Sequence, residues 1–266
     1  MKIQKRKKMK EAKIKVSAVS YLNTLPFLYG INNSDIGSDI DLTLDIPSDC
    51  AKKLLIGEVD LGLVPVAVLP ELKEYYIISD YCIGAEGKVE SVALYSDVPL
   101  NEIDNIYLDY QSKTSVNLVK ILAKRLWKIS PTWINATEGY ENKIQGKTAG
   151  VIIGDRTFNL SKSFKYKYDL AEEWFNLTGL PFAFACWVSN KELPDPFIQK
   201  FNAALKNGVN NIAEINFVFD ESKISNKALH NYLTRNISYS LDNNKIKAID
   251  EFLKYIETRE VLNSEY

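Results

Sequence analysis

The sequence predicts an α/β protein of two lobes with a ligand cleft between them. Short β-prone runs alternate with helical stretches, a pattern that gives parallel sheets covered by helices. The strand-forming runs fall into an early set and a second set after Pro99, followed by a largely helical tail. The 266 residues suit two lobes of moderate size, and 46% hydrophobic with 25% charged residues is ordinary for a chain with a real core.

Residues 16–20 are β-prone, and Pro26 suits the first turn of a short helix, with Asn23 and Thr24 as candidate caps. Leu42, Leu44 and Ile46 alternate with polar residues, as in a strand. Ser48 is the expected cap of the next helix and Gly57 its end; 59–64 is a buried strand stopped by Pro65. Strands are expected at 75–78 and 89–95, then at 106–109. Ser112 caps a helix over 114–127 whose Ser115, Leu118, Val119, Leu122 and Leu126 share one face. Further strands are expected at 133–136, 150–153 and 182–188. Asp169 and Glu172 form a capping box for a helix ending near Gly179. In the tail, Asp195-Pro196 and Asp242 open two helices. The expected organisation is a basic, disordered extension over 1–13, a first lobe from 14–96 and 188–266, and a second lobe from 97–187. The chain then crosses between lobes near Ser96 and near Trp187.

Composition excludes several classes of function. Lys plus Arg total 33 and Asp plus Glu 34, a formal net charge of -1, which gives no electrostatic footprint for nucleic acid. The basic run Lys2, Lys5, Arg6, Lys7, Lys8 and Lys10 imitates the start of a signal peptide. Ser17, Ser20, Asn23 and Pro26 interrupt the stretch after Lys15, so no apolar core of a leader forms, and no apolar run is long enough to cross a bilayer. A cytoplasmic protein without a membrane partner is expected. Cys50, Cys82 and Cys186 are far apart and odd in number, as buried thiols in a reducing compartment would be. His230 is the sole histidine and falls in a helical stretch, so a metal site is not expected.

Several strand-to-helix junctions carry polar residues that a cleft would use. Ser20-Tyr21-Leu22-Asn23-Thr24 follows the first strand, and Gln111-Ser112-Lys113-Thr114-Ser115 opens a helix. Exposed N–H groups at a helix start, with hydroxyls beside them, bind carboxylate or phosphate. Ordinary capping explains the same residues, and spacing does not separate the two. Gly84, Gly87 and Ser91 allow close approach to the backbone around 89–95, and Gly154-Asp155 follows its own strand. No Walker A loop, G-x-S-x-G elbow, Rossmann glycine pattern or H-E-x-x-H is present. On physics alone the reading ends at a two-lobed protein that binds a small anion.

One stretch is more specific. Val16-Ser-Ala-Val-Ser-Tyr-Leu-Asn-Thr-Leu-Pro26 resembles the opening of the chorismate dehydratases of the futalosine route to menaquinone. It is supported in order by Gly57-Glu-Val-Asp-Leu-Gly-Leu-Val-Pro-Val66, Gly87-Lys-Val-Glu-Ser-Val-Ala-Leu-Tyr-Ser96, Leu108-Asp-Tyr-Gln-Ser-Lys-Thr-Ser-Val116, Ile152-Ile-Gly-Asp155 and Leu177-Thr-Gly-Leu-Pro-Phe-Ala-Phe-Ala185. The resemblance implies a periplasmic-binding-protein type II-like fold and loss of water from chorismate to give 3-(1-carboxyvinyloxy)benzoate, with no metal or organic cofactor. It points to Asn23 and Ser91 as catalytic. Ser20, Tyr21, Gln111, Ser112, Thr114, Ser115, Gly154 and Asp155 are then the expected substrate contacts. Two alternatives stay open: a solute receptor for a small anion, which the missing leader disfavours, and the sister-branch 1,4-dihydroxy-6-naphthoate synthase activity, which the Ser-Tyr-Leu-Asn-Thr opening disfavours. No oligomeric partner follows from the sequence.

Overall fold

The structure, a computed structural model, describes residues 12–213 and 224–258. The expected extension over 1–13 lies, apart from its last two residues, outside the described residues.

Two separate sheets form. The first has six strands in the order β11-β4-β10-β3-β1-β2. These are β1 (Ile14–Val19), β2 (Ile40–Asp45), β3 (Leu61–Pro65), β4 (Tyr76–Ala85), β10 (Phe182–Ser189) and β11 (Ser238–Ser240). The second has five in the order β7-β6-β8-β5-β9. These are β5 (Val92–Ser96), β6 (Asn105–Leu108), β7 (Thr132–Asn135), β8 (Thr148–Ile153) and β9 (Tyr166–Asp169). β1 runs parallel to β2 and β3, whereas β10 is antiparallel to both β3 and β4.

Sheet membership corrects the expected lobe boundaries. The sequence pattern puts 89–95 in the first lobe, but β5 pairs with β8 and β9 in the second sheet. The first crossing therefore lies between Ala85 and Val92. The same pattern puts 182–187 in the second lobe, but β10 is a central strand of the first sheet, so the return lies before Phe182. Val-Ala-Leu-Tyr-Ser and Phe-Ala-Phe-Ala-Cys are buried strands in either sheet. Their pairing is non-local, and the pattern within each run does not encode it.

Local chemistry explains the helices. In α1 (Leu25–Asn32), Asn23 and Thr24 do not cap as expected: a 3-10 turn at Leu22–Thr24 leads in, closed by Thr24 N–H on the Tyr21 carbonyl. In α2 (Pro47–Leu55), Pro47 opens the first turn, where a missing N–H costs nothing, and Ser48 is not the cap. In α3 (Lys113–Leu122) the Ser112 side chain accepts from Ser115 N–H, as expected, and the helix runs on through a π turn at Ala123–Trp127. Asp169 caps α4 (Leu170–Thr178) by accepting from the N–H groups of Ala171 and Glu172, and Gly179, with φ of 71°, ends it. The tail gives α5 (Asp195–Asn210), α6 (Asn226–Asn231) with a π turn at Tyr232–Asn236, and α7 (Asn243–Glu257), capped by Asp242. α1 and α5 pack backbone to backbone at Gly30 and Gly208, where a Cβ would lie 1.9 Å from the Ala204 carbonyl oxygen and 1.8 Å from that of Pro26.

β10 is buried along its whole length, and Trp187, Phe27 and Phe201 pack their rings at steep angles around it. One hydrophobic core runs through both lobes, from Val16 and Leu63 through Trp174 to Leu94, Ile106 and Leu118. Among the described residues no helix is long and apolar enough to cross a membrane.

Candidate active site

The carboxyl ends of β1 and β3 and the starts of β5 and α3 converge between the lobes. They enclose a small cavity of about 50 Å³. The first lobe supplies Val19, Tyr21, Asn23, Pro47, Pro65, Ile83, Phe184 and Ala185 to its lining; the crossing segment and second lobe supply Val89, Ser91, Val92, Ser112, Ser115, Ile153 and Gly154. Among the described residues the lining contains no charged side chain.

Six of the ten expected residues line this cavity: Tyr21, Asn23, Ser91, Ser112, Ser115 and Gly154. Ser112 and Ser115 place two hydroxyls beside the first turn of α3, where Ser112 Oγ accepts from both Ser115 N–H and Ser115 Oγ at 3.3 Å. The other four lie elsewhere. Ser20 is exposed, and its N–H is spent on the Asp45 carbonyl. Thr114 is fully buried, and its Oγ1 accepts from Ala67 N–H at 3.2 Å, which ties the start of α3 to the first lobe. Gln111 accepts from the Tyr21 hydroxyl. Asp155 accepts from Leu22 N–H at 3.0 and 3.2 Å. Gln111, Thr114 and Asp155 thus hold the lobes together around the cavity.

Tyr21 is the centre of that seam. Its ring lies against Gly154, where an added Cβ would meet it at 2.6 Å, and Gly154 has φ of 63°. Both facts require glycine. Burial and the Asp109 carboxylate push the Tyr21 phenol well up, so it stays protonated as a donor. Behind it, Asp109 is buried. It accepts from Gln111 N–H at 2.8 Å and from the Tyr140 hydroxyl at 2.7 Å, and pairs with Arg156, which also pairs with Glu141. Burial drives the Asp109 carboxyl up, and the Arg156 guanidinium opposes it. This cluster fixes the turn that presents Ser112.

Sequence reasoning missed Asp109, Arg156 and Tyr232. Asp109 stood inside a quoted motif. Tyr232 gave no signal, because it reaches the site from 141 residues away to donate to Ser91 Oγ at 2.7 Å. Among the described residues no group of three or more His, Cys, Asp or Glu is placed to hold a metal ion.

A sequence model described as menaquinone biosynthesis matches residues 14–258. The chain belongs to this menaquinone biosynthesis family. It is similar to the chorismate dehydratase of Thermus thermophilus, 27% identical over 190 residues that cover 64% of this chain and 69% of that one. Among solved structures it is similar to a protein of Archaeoglobus fulgidus, with a TM-score of 0.72 at 13% identity, covering 93% of this chain and 97% of that one. It is also similar to the alkanesulfonate-binding protein of Xanthomonas axonopodis pv. citri, solved with MOPS, with a TM-score of 0.61 at 14% identity over 94% of each chain. A Candida albicans protein described as having the generic periplasmic binding protein fold gives 0.62 at 11% identity, covering 95% of this chain and 94% of that one. At these identities the likeness is one of fold. This member of the menaquinone biosynthesis family has the two-lobed periplasmic-binding-protein architecture, with its cleft where such folds place a ligand.

Proposed function

We propose that the chain dehydrates chorismate to 3-(1-carboxyvinyloxy)benzoate, a hydro-lyase step of menaquinone biosynthesis by the futalosine route. One observation carries the reading: in a chain of this family, Asn23 from the first lobe and Ser91 from the crossing segment line the same cavity.

Chorismate carries two carboxylates and an apolar ring face. Ser112, Ser115 and the first-turn N–H groups of α3 receive one carboxylate, and Pro47, Pro65 and Phe184 wall the ring. In a buried cavity these donors act at low effective dielectric, where each is worth more than in water. The ring hydrogen that is lost is vinylogous to the ring carboxylate, so donors on that carboxylate stabilise the developing dienolate as an oxyanion hole does. The C–H bond breaks and its electron pair forms the new ring double bond. The neighbouring C–O bond breaks with its pair, and proton and hydroxide leave as water. Among the described residues the cavity lining holds no His, Asp, Glu or Lys, and on this reading a carboxylate of the substrate itself takes the proton. Ser91 donates to a carboxylate or to the departing hydroxyl, and Asn23 orients the ring.

The same reading makes the protein cytoplasmic, acting on a small molecule without nucleic-acid or membrane partner. Its three cysteines are free and buried, in keeping with a reducing compartment. The test is purified protein with chorismate, following loss of substrate and appearance of the benzoate by chromatography. Catalytic turnover is expected. Chorismate bound in calorimetry but recovered unchanged would overturn the enzyme reading in favour of a receptor.

A further inference from the structure

The C-terminal return packs behind the cavity wall, against Ser91 and Asn23. Tyr232 opens the π turn Tyr232–Asn236, is buried, and packs edge to face on Phe158 of the second lobe with ring centroids 4.9 Å apart. π turns recur at functional sites. The Tyr232 hydroxyl donates to Ser91 Oγ at 2.7 Å. Two contacts from the same segment hold the surrounding backbone: Asn236 Nδ2 donates to the Lys88 carbonyl at 3.2 Å, and the Tyr239 hydroxyl donates to the Asn23 carbonyl at 2.9 Å. The Ser91 carbonyl is fixed separately, by Gly154 N–H at 2.8 Å.

A hydroxyl has one hydrogen. That of Tyr232 is used on Ser91 Oγ, so the hydrogen of Ser91, whose side chain lines the cavity, is left to point at the ligand. We propose that Tyr232 is a positioning residue that, by donating to Ser91, holds the Ser91 hydroxyl as a donor aimed into the cavity. The inference rests on the dehydratase reading above. Donation into Ser91 also polarises its O–H, since chained hydrogen bonds strengthen one another. Burial pushes the Tyr232 phenol up, so it remains a donor at neutral pH.

The test is steady-state kinetics on Tyr232→Phe, Ser91→Ala and the double variant, with chorismate as substrate. Tyr232→Phe keeps the ring against Phe158 and should keep a cooperative melt. Its kcat should fall about tenfold to a hundredfold, the scale of a misplaced catalytic group, with KM within about threefold of wild type. In the Ser91→Ala background the same change should cost nothing further, because the residue acts through Ser91. Full kcat in Tyr232→Phe overturns the proposal, and so does an equal loss in both backgrounds. Should Tyr232→Phe fail to fold, the double variant decides: it leaves neither hydroxyl orphaned, and a kcat below that of Ser91→Ala overturns the proposal. Wild-type protein inert toward chorismate overturns the dehydratase reading and this inference with it, an outcome distinct from active wild type with an unimpaired variant.

Discussion

The two walls of the cavity differ in kind. The first lobe contributes Val19, Pro47, Pro65, Ile83, Phe184 and Ala185, with Asn23 and Tyr21 as its polar groups; the crossing segment and second lobe contribute the hydroxyls of Ser91, Ser112 and Ser115 beside the start of α3. One wall suits the face of a ring, and the other suits its carboxylates. On the proposed reading, charge is met by oriented dipoles and shape by apolar side chains, with no lysine or arginine among the described lining residues.

That contrast is broken most severely at Ser91. Ser91→Ala should lose about 10² to 10³ in single-turnover rate while chorismate binding persists, because a donor to developing charge is removed. A near-normal rate would return Ser91 to a purely structural role. The seam comes next. Gly154→Ala sets a Cβ against the Tyr21 ring at a positive φ and should cost about 1 to 3 kcal/mol in the closed form, read as a raised KM and a lowered melting midpoint. Thr114→Val should cost about 1 to 3 kcal/mol of stability by leaving Ala67 N–H without its acceptor, with chorismate affinity nearly unchanged. A selective loss of affinity would restore Thr114 to the carboxylate site.

The smallest effect lies at Glu86, in the crossing segment. Lys245 is buried under the first sheet and pairs with Glu86 at 3.0 Å, and its hydrogen bond holds the Glu86 carboxyl below its usual range. A lowered carboxylate contributes stability above its ordinary pKa and loses it as pH falls through the folded value. Melting curves taken on the acid side, between about pH 5 and pH 3, should therefore fall less steeply for Glu86→Gln than for wild type. The difference should stay within about 1 kcal/mol, since Glu86 is largely exposed.

How much the sequence revealed depends on the range of each interaction. The Ser112, Asp169 and Asp242 caps were legible because side chain and N–H partner are two or three residues apart. The polar junctions at Tyr21, Asn23, Ser112, Ser115 and Gly154 were legible as strand-to-helix turns, and the fold brings them together. Family motifs, not periodicity, singled out Asn23 and Ser91. The roles of Thr114, Gln111 and Asp155 were not legible, because each partner sits in the other lobe. β9 and β11 escaped because Tyr166–Asp169 and Ser238–Ser240 are short runs whose partners are distant.

The position of β10 has a consequence for how the molecule is made. The second sheet is built from one uninterrupted stretch, Val92 to Asp169, whereas the first needs β10 between β3 and β4. As the chain leaves the ribosome, the second lobe has all its strands while the first still lacks its middle. Leu63, Val64, Cys82 and Ile83, which end buried, must wait for residues 182–189. The lobe that begins first in the sequence is completed last. This long-range closure is the step in folding at which uncovered strand edges are most open to aggregation.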